Sequence, residues 1–432
     1  MSELGVEALF APIAGKKVIG LAVSGGPDSF ALMVLASRWA RVQSSAVRLI
    51  VYTVDHGLRP EASDEAIHVA REAEKLGLEA RILRWEGDKP SNGVQAAARR
   101  ARYRLMGQAM EADDAEVLVT AHHQGDQAET VLMRMAHASG LGGLAGMAAF
   151  SSVEGVAVFR PFLDVDRAAL LTVVAESGIQ PVQDPSNSDP HYERVRWRQA
   201  LPMLGGLGLD GPTLSRLAKR AREADAALED IAAEVFSRLV QIDGFGSMRM
   251  EREGFAHLHR AVAVKVLEKG LAAAGGDQRR HVLGQIEELA AALVVPDTFS
   301  RQTLLGCIVH RDSRHVWLVR EPGRLGDRLT LVPPQTAIVW DNRFTISNDR
   351  GNLPVAVRMA SEWNRKTAEA LVEKRVAGPI EGLRATPLVL DKEGRILALG
   401  QHRFDDSVSV AWLSQDKRVH GKMHNGAVET PY

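Results

Sequence analysis

The first 180 residues alternate short apolar runs with longer segments whose apolar residues recur every three or four positions. Short apolar runs bounded by turn residues are typical of buried strands, and the longer periodicity is typical of helices. Strands are predicted at residues 18–23, 49–54, 80–85, 117–121 and 156–159, and helices at 28–40, 61–76, 94–110, 125–135 and 167–177. Strands that alternate with helices pair in parallel, so the pattern predicts an α/β fold with a doubly wound parallel sheet.

The remainder of the chain has a different pattern. Residues 212–295 are rich in Ala and Leu at helical spacing, whereas apolar runs at 307–309 and 316–319 predict a hairpin. From about residue 333 short strands dominate, with one helix near 361–374. We therefore predict three domains, which are an α/β domain at 1–211, a mainly helical domain at 212–322 and a mixed α+β domain at 323–432.

Composition narrows the class of protein. A chain of 432 residues exceeds what one hydrophobic core usually covers, which agrees with several domains. The formal net charge of −1 argues mildly against a nucleic-acid partner, although it does not report local patches. The single cysteine, Cys307, excludes an intrachain disulfide and fits a reducing compartment. No signal peptide or long apolar run is visible, so we expect a cytoplasmic protein without a membrane span.

Ligands bind beyond the carboxyl ends of the strands in a parallel α/β sheet, and the first such segment is SGGPDS at 24–29. Its glycines let the backbone approach a ligand, and the free N–H groups of the following helix favour phosphate. Ser24 and Ser29 add hydroxyl donors. Asp28 would repel a phosphate unless Mg²⁺ bridges the two. The alternative is an ordinary strand–turn–helix with an Asp cap, and no Walker A motif is present here.

Two further polar segments are candidates for nucleotide contacts. Asp55 and His56 begin DHGLR at the end of the second strand, with Arg59 as a candidate phosphate contact. Arg99 and Arg102 lie three residues apart on one helical face and would neutralise charge on phosphates. A polar loop and a solvated helix face, respectively, are the alternatives.

The segment HHQGDQAET at 122–130 places Asp126 and Glu129 on one face of a helix. Such a carboxylate pair would hold a metal or capture a substrate amine, or would only cap the start of the helix. The His122–His123 pair could belong to a zinc site, but no third ligand stands at a standard spacing.

A last segment combines turn residues at 183–189 with a basic and aromatic stretch. That stretch suits contacts with RNA, and a linker with a solvated basic face is the alternative. Its side chains are Tyr192, Arg194, Arg196, Trp197 and Arg198.

Taken in order, these segments resemble the tRNA(Ile)-lysidine synthetases, a family of N-type ATP pyrophosphatases. SGGPDS alone indicates only the broader pyrophosphatase group, whereas the ordered set is much more specific. The matching segments are SGGPDS at 24–29, VDHGLRPEASDEA at 54–66, AARRARY at 97–103, HHQGDQAET at 122–130, SGLGGLAGM at 139–147, RPFL at 160–163 and DPSNSDPHYER at 184–194.

The resemblance implies ATP-dependent ligation of L-lysine to C2 of the wobble cytidine of an isoleucine tRNA with a CAU anticodon. The C2 carbonyl oxygen would be adenylated with release of pyrophosphate, and the lysine amine would then attack C2 and expel AMP. Adenylation makes that oxygen a good leaving group, and nearby carboxylates would orient and deprotonate the amine. The implied cofactors are ATP and Mg²⁺, the implied partners are this tRNA and L-lysine, and the implied assembly is a homodimer.

The resemblance also implies roles for individual residues. ATP would be bound by Ser24, Gly25, Gly26, Pro27, Asp28 and Ser29, with Asp55 and His56 as further contacts. The catalytic residues would be Asp28, Arg99, Arg102, His122, Asp126 and Glu129, and the metal ligands Asp28 and Asp126. His122 would assist adenylation, and Arg99 or Arg102 would stabilise the activated intermediate. The sequence departs from the family pattern at Gln95, Gly125 and Val195, which bears on metal and tRNA contacts.

Three other functions are weighed against this one. A tRNA thiolase with the same loop generally needs several cysteines, whereas this chain has Cys307 alone. A non-catalytic RNA-binding module would not need Asp28, Asp126 and Glu129. A small-molecule ligase of the amidotransferase type usually carries a glutamine-hydrolysing domain with a nucleophilic cysteine, and none is visible.

Overall fold

The computed structural model describes residues 5–43, 46–87, 89–90, 92–182, 189–276, 283–295, 299, 301–326 and 328–413. The chain divides into two compact units, Met1–Asp225 (unit 1) and Ala226–Tyr432 (unit 2). The three-domain division, with boundaries after residues 211 and 322, stays a prediction. Among the described residues, no helix is both long and apolar enough to cross a membrane.

Unit 1 is built on a six-stranded sheet. Its strands are β1 (Val18–Ala22), β2 (Arg48–Asp55), β3 (Glu79–Arg84), β4 (Val117–Val119), β5 (Phe150–Val153) and β6 (Val156–Phe159), in the order β3-β2-β1-β4-β6-β5. All neighbours pair in parallel except β5 and β6, which form an antiparallel hairpin. The predicted parallel α/β sheet is confirmed. The edge strand β5 escaped prediction because its four residues, FSSV, are neither an apolar run nor fully buried.

The helices of unit 1 cover both faces of this sheet. They are α1 (Val6–Phe10), α2 (Pro27–Val42), α3 (Ala62–Lys75), α4 (Val94–Ala112), α5 (Gln124–Ala136), α6 (Leu141–Leu144), α7 (Arg167–Ser177), α8 (Glu193–Gly206) and α9 (Gly211–Leu239), whose sequence contains the unit boundary. Side chains alternate along a strand. Leu49 and Val51 of β2 therefore join one core with α2 and α7, whereas Ile50 and Tyr52 join another with α4.

The strand order reverses beside β1, which lies between β2 and β4. From β1 the chain proceeds to β2 and β3 on one side, and then crosses to β4 on the other side. Parallel α/β sheets bind ligands at such a reversal, beyond the carboxyl ends of the strands. The topology therefore brings the loop after β1 next to the loop after β4.

Unit 2 contains three antiparallel sheets in its described residues. Their strands are β7 (Val240–Ile242), β8 (Met248–Glu251), β9 (Arg301–Leu304), β10 (Cys307–Arg311), β11 (His315–Arg320), β12 (Thr330–Val332), β13 (Thr336–Trp340), β14 (Phe344–Asn348), β15 (Val355–Met359), β16 (Pro387–Leu390), β17 (Ile396–Leu399), β18 (His402–Arg403) and β19 (Val408–Trp412). The orders are β7-β8-β11-β10-β9, β12-β15-β16-β17-β18 and β13-β14-β19. The helices are α10 (Arg252–Ala256), α11 (Arg260–Gly275), α12 (Leu283–Val294), α13 (Arg365–Val372) and α14 (Ile380–Arg384).

The predicted hairpin of unit 2 is confirmed, because β10 pairs with β11 from Cys307–Arg320 to Arg311–Val316. The helix predicted near 361–374 is α13. The segment 212–295, predicted as helical, also contains β7 and β8. These strands are short, and β8 pairs with β11, which lies far along the chain. Tertiary pairing, rather than local pattern, therefore decides their structure.

Candidate functional site

The loop after β1 requires glycine at position 25. Gly25 has a φ of 84°, in the left-handed region that favours glycine. A Cβ at this position would lie 3.0 Å from Val182 Cγ2 and 3.3 Å from Val69 Cγ2. The N–H of Val182 donates to the Gly25 carbonyl at 2.9 Å. Conformation and space thus both exclude a larger residue.

Two serines stabilise the turn from this loop into α2. The Ser24 N–H donates to Ser29 Oγ at 3.2 Å, and Ser29 Oγ donates to the Gly26 carbonyl at 2.8 Å. Gly26 is the N-cap of α2, and Pro27 follows it at the first helical position. The amino-terminal end of a helix favours phosphate because its first N–H groups lack partners within the helix. The loop is therefore suited to a phosphate ligand.

Asp28 lies between a guanidinium and an imidazole. Its Oδ1 accepts a hydrogen bond from Arg167 Nε at 3.1 Å, and its Oδ2 lies 3.8 Å from His123 Nε2. Arg167 is the first residue of α7, and His123 is the N-cap of α5. The contact between Asp28 and His123 joins the loop after β1 to the loop after β4, as the strand order requires.

From the sequence, His123 was considered only as half of a histidine pair for zinc, and Arg167 was given no role. His123 Nδ1 accepts the backbone N–H of Gly125 at 3.0 Å and that of Asp126 at 3.4 Å. A nitrogen that accepts carries no proton, so the ring proton is assigned to Nε2, toward Asp28 and Asp126. A residue that caps a helix, followed three positions later by an acid, is a capping-box spacing that could have indicated His123.

Asp126 is held by both neighbouring segments. Its Oδ2 accepts the His123 backbone N–H at 3.0 Å, and its Oδ1 accepts from Arg194 Nη2 at 3.0 Å. Burial opposes ionisation of Asp126, but the electrostatic effects of the His123 ring and the Arg194 guanidinium, together with the His123 backbone N–H, outweigh it and hold the pKa of Asp126 below its ordinary value. Asp126 is therefore a carboxylate at neutral pH. At Gly125, a Cβ would lie 2.8 Å from His123 Cε1, so the acidic residue of the family pattern would require this ring to shift.

Glu129 is clamped by two guanidiniums of α8. Its Oε2 accepts from Arg194 Nε at 2.7 Å, and its Oε1 accepts from Arg198 Nε at 2.6 Å. The Glu129 side chain is only 2% exposed, whereas those of Arg194 and Arg198 are 39% and 37% exposed. Arg194 and Arg198 lie four residues apart on one face of α8, and they contact Asp126 and Glu129, which lie three residues apart on one face of α5. Buried carboxylates of this kind stay ionised only while cations accompany them.

Several arginines of the stretch that was predicted to bind RNA therefore form contacts within the protein instead. Arg194 and Arg198 pair with carboxylates, and Arg196 donates to the carbonyls of Pro190 and His191. The turn residues at 183–188 lie outside the described residues. Val195, the third departure from the family pattern, is buried.

His122 is a neutral imidazole at neutral pH. Its Nδ1 lies 2.9 Å from Thr120 Oγ1. Burial lowers the pKa of His122 far below its ordinary value, and the charges of Arg160 and Arg194 lower it further against the opposing effect of Asp126. A neutral imidazole can accept a proton as well as donate a hydrogen bond.

Asp55, His56 and Arg102 form a separate group at the end of β2. Asp55 Oδ1 accepts the Gly57 N–H at 2.9 Å, and His56 Nε2 lies 3.2 Å from Arg102 Nη2. A guanidinium can only donate, so His56 Nε2 accepts and the proton is assigned to Nδ1, which is buried without a partner. Arg99 lies exposed over the Tyr103 ring at 5.2 Å. Within the described part of the chain, Arg102 has no carboxylate partner, so its charge is available to an anion.

His56 predicts a pH dependence of stability. Burial, followed by the charge of Arg102, lowers the pKa of His56 from 6.5 to about 4. As the pH falls below 6.5, the unfolded chain takes the proton first, so stability is lost between pH 6.5 and about 4. The free energy of unfolding falls as the pH is lowered from neutral to about 5. In His56→Gln this fall is expected to be smaller by about 1 kcal/mol, after allowance for solvent screening. Thermal unfolding of both proteins across this range measures it.

The exposed His257, whose Nδ1 contacts the Glu253 backbone carbonyl rather than a carboxylate, provides the matched control. His257→Gln is expected to leave the pH dependence as it is in the parent protein. Equal pH dependence in His56→Gln and the parent protein would show that the His56 imidazole is not desolvated as described.

Comparison with known proteins shows the family to which this chain belongs. Residues 2–204 match a family model described as a PP-loop domain. A tRNA(Ile)-lysidine synthase of Rhodopseudomonas palustris is 43% identical over 337 residues, which cover 76% of this chain and 97% of that protein. The chain belongs to the tRNA(Ile)-lysidine synthase family. Another member, from Bradyrhizobium diazoefficiens, is 45% identical over 351 residues, with the same coverage of 76% and 97%.

Among solved structures, the U34-tRNA thiolase NcsA from Methanococcus maripaludis is 17% identical, with a TM-score of 0.43, over 50% of this chain and 77% of that one. The loop at 24–29 lies within the matched PP-loop domain and is hereafter called the PP-loop. The site around it therefore consists of this loop, the carboxylates of α5 and the guanidiniums of α7 and α8.

Proposed function

We propose that this protein ligates L-lysine to C2 of the wobble cytidine of a CAU-anticodon isoleucine tRNA, with ATP consumed to AMP and pyrophosphate. One structural observation carries the proposal beyond family membership. The PP-loop, which suits the phosphates of ATP, directly adjoins carboxylates that suit an amine. His123 links the two, because its Nε2 lies 3.8 Å from Asp28 and 3.5 Å from Asp126.

ATP is a substrate of the proposed reaction, and the residues of the PP-loop fit its phosphates. A carboxylate beside phosphates is tolerated when Mg²⁺ neutralises the charge, and Mg²⁺ usually takes one or two carboxylates together with substrate oxygens. Asp28 fits this role because its Oδ2 accepts no hydrogen bond from the described residues. Both carboxylate oxygens of Asp126 accept hydrogen bonds, which makes it the weaker candidate. When bound, Mg²⁺ would neutralise the charge of the departing pyrophosphate.

The first step joins the C2 oxygen of cytidine to the α-phosphorus of ATP and breaks the bond to pyrophosphate. Positive groups stabilise the charge that develops on the phosphate oxygens. Arg102 suits this role because, among the described residues, its side chain hydrogen-bonds only to the neutral His56. The neutral His122 lies beside Asp126 and is a candidate to orient the cytidine by a hydrogen bond. We assign Arg99 a supporting electrostatic role, because it is exposed on the same helix.

The second step joins the lysine amine to C2 and releases AMP. The amine binds as a cation and must lose a proton before it attacks. In the described structure, Asp126 and Glu129 are already paired with Arg194 and Arg198. We propose that the ammonium group of the substrate lysine replaces one of these guanidinium contacts. One cation then exchanges for another, and each buried carboxylate keeps a cation beside it.

The rival thiolase reaction would need a reactive cysteine. Cys307 is the single cysteine of the sequence, and it is fully buried in unit 2, where its Sγ donates to the Leu271 carbonyl at 3.2 Å. Burial raises the pKa of the Cys307 thiol to about 12, so the nucleophilic thiolate is scarce at neutral pH. These properties favour lysine ligation over sulfur transfer.

Pyrophosphate release from ATP tests the proposal. Release is expected only with an isoleucine tRNA that carries a CAU anticodon, and labelled lysine is expected to enter that tRNA. A methionine tRNA, which has the same anticodon, is the matched control and should react poorly. Release without any tRNA would indicate a small-molecule substrate, and no release at all would indicate a binding module.

A further inference from the structure

A cavity of about 350 Å³ lies entirely within unit 2, among residues that the proposed reaction does not use. Its walls come from the turn between β7 and β8, the end of α13 with the segment after it, and β18. Aromatic and cationic side chains occur together in the lining, among smaller aliphatic and polar residues. The aromatic and cationic side chains are Phe245, Trp317, His402, Arg249, Lys374 and Arg375.

The cations of this cavity have no carboxylate partners in the described structure. Arg249 donates through Nε and Nη2 to the neutral Gln241 amide oxygen, at 2.9 and 2.7 Å. Lys374 and Arg375 are exposed and form no ion pair with any described residue. Asp243 is the acid in the lining, and its Oδ1 accepts the backbone N–H groups of Phe245 and Ser247. The cavity is thus positively charged and open to an anion.

The aromatic walls are held in fixed positions. Phe245 and His402 have ring centroids 5.0 Å apart, and Phe245 is buried whereas His402 is half-buried. Trp317 Nε1 donates to Asp312 Oδ2 at 2.8 Å, which fixes the orientation of the indole. A Cβ on Gly244 would lie 2.5 Å from His402 Nε2, so the glycine leaves room for this ring. A ring with one accessible face is a surface on which a nucleobase stacks.

We propose that this cavity binds one unpaired nucleotide of the RNA substrate, with the base against His402 and the phosphate at Lys374 and Arg375. The volume, the aromatic face and the unpaired cations are what a nucleoside monophosphate requires. The proposal rests on the proposed function, because it takes the substrate to be a tRNA. The cavity would add affinity for the folded tRNA, apart from the reaction at the PP-loop.

The test measures binding of labelled CAU-anticodon isoleucine tRNA to the full-length protein at several salt concentrations. Lys374→Gln/Arg375→Gln is expected to weaken binding by about tenfold and to lower the salt dependence by about one counterion, because these side chains together neutralise one phosphate in the proposal. Lys366→Gln/Lys392→Gln removes the same charge from two exposed positions outside the cavity and is expected to change binding by less than about threefold.

The aromatic wall is tested separately. His402→Ala is expected to weaken tRNA binding by about tenfold at low and high salt alike, because stacking is not screened. His402→Phe keeps an aromatic ring at this position and is expected to restore binding, which separates lost stacking from misfolding. With saturating tRNA, all cavity variants should release pyrophosphate at the rate of the parent protein, with only the KM for tRNA raised.

The outcomes separate this proposal from the function itself. Parent protein that releases no tRNA-dependent pyrophosphate would refute the proposed function. If His402→Ala binds tRNA tightly and Lys374→Gln/Arg375→Gln binds it weakly, the cavity contributes only its positive charge. That result would overturn the proposal. A further outcome is that cytidine or adenosine monophosphate binds the parent protein and not His402→Ala, while tRNA binding is unchanged in every variant. This result would assign the cavity to a free nucleotide and would also overturn the proposal.

Discussion

Asp28→Asn is expected to reduce tRNA-dependent pyrophosphate release by about a thousandfold, since it removes the carboxylate that would hold a metal beside the transferred phosphates. The Asp28 side chain adjoins the PP-loop and lies 3.8 Å from His123. An amide of the same shape keeps the volume but loses the negative charge. Single-turnover release of labelled pyrophosphate measures the effect directly.

Two further variants identify the cause of this loss. Asp166→Asn changes another acid near the site, the N-cap of α7, and should retain the parent rate because an asparagine also caps a helix. Arg167→Gln removes the partner of Asp28 Oδ1 and is expected to cost less than about tenfold. If Arg167→Gln were as inactive as Asp28→Asn, Asp28 would serve only to position Arg167. Asp28→Asn with nearly parent activity would exclude a catalytic role.

Glu129→Gln is expected to separate the two steps of the reaction. Adenylation, measured as a burst of pyrophosphate without lysine, should stay within about threefold of the parent rate, because the hydrogen bonds of Glu129 in the described structure go to Arg194 and Arg198 rather than to the PP-loop. The kcat/KM for lysine should fall by about a hundredfold, because a neutral amide no longer pairs with the ammonium. Transfer of labelled lysine to pre-adenylated tRNA measures the second step.

The surface carboxylate Glu193, which pairs with His137 at the end of α5, provides the matched control. Glu193→Gln should leave both steps unchanged. Arg198→Gln removes one member of the Glu129 clamp and keeps the carboxylate, so lysine should still react in this variant. An equal loss in Arg198→Gln and Glu129→Gln would mean that the carboxylate only anchors α8. A lost pyrophosphate burst in Glu129→Gln would contradict the separation of the steps.

The local pattern of the sequence was sufficient to predict most of unit 1. The predicted strand at 156–159 and the predicted helix at 167–177 have the observed bounds of β6 and α7, and the other predicted strands and helices of this unit differ from the observed ones by only a few residues. Each of these elements has a regular apolar period and clear turn residues at its ends. Unit 2 was less predictable, because the short strand β8 owes its structure to pairing with the distant β11, and the edge strand β7 pairs only with β8.

Some features of the site could likewise be identified from the sequence, and others could not. The PP-loop could be identified from sequence because its glycines, serines and aspartate act within six consecutive residues, Ser24–Ser29. The family order of motifs then identified Asp126 and Glu129 as chemically important. Neither observation could indicate which cations would lie beside these carboxylates.

By itself, then, the sequence determined the parallel sheet and the family, and it predicted the phosphate-binding loop. Only the tertiary structure decided that Asp28 meets His123 and Arg167, and that Arg194 and Arg198 clamp the carboxylates of α5. The physical reason is that backbone conformation and loop chemistry depend on neighbours along the chain. Ion pairing depends instead on which helices the sheet brings together, and Arg198 approaches Glu129 only because α8 packs against α5.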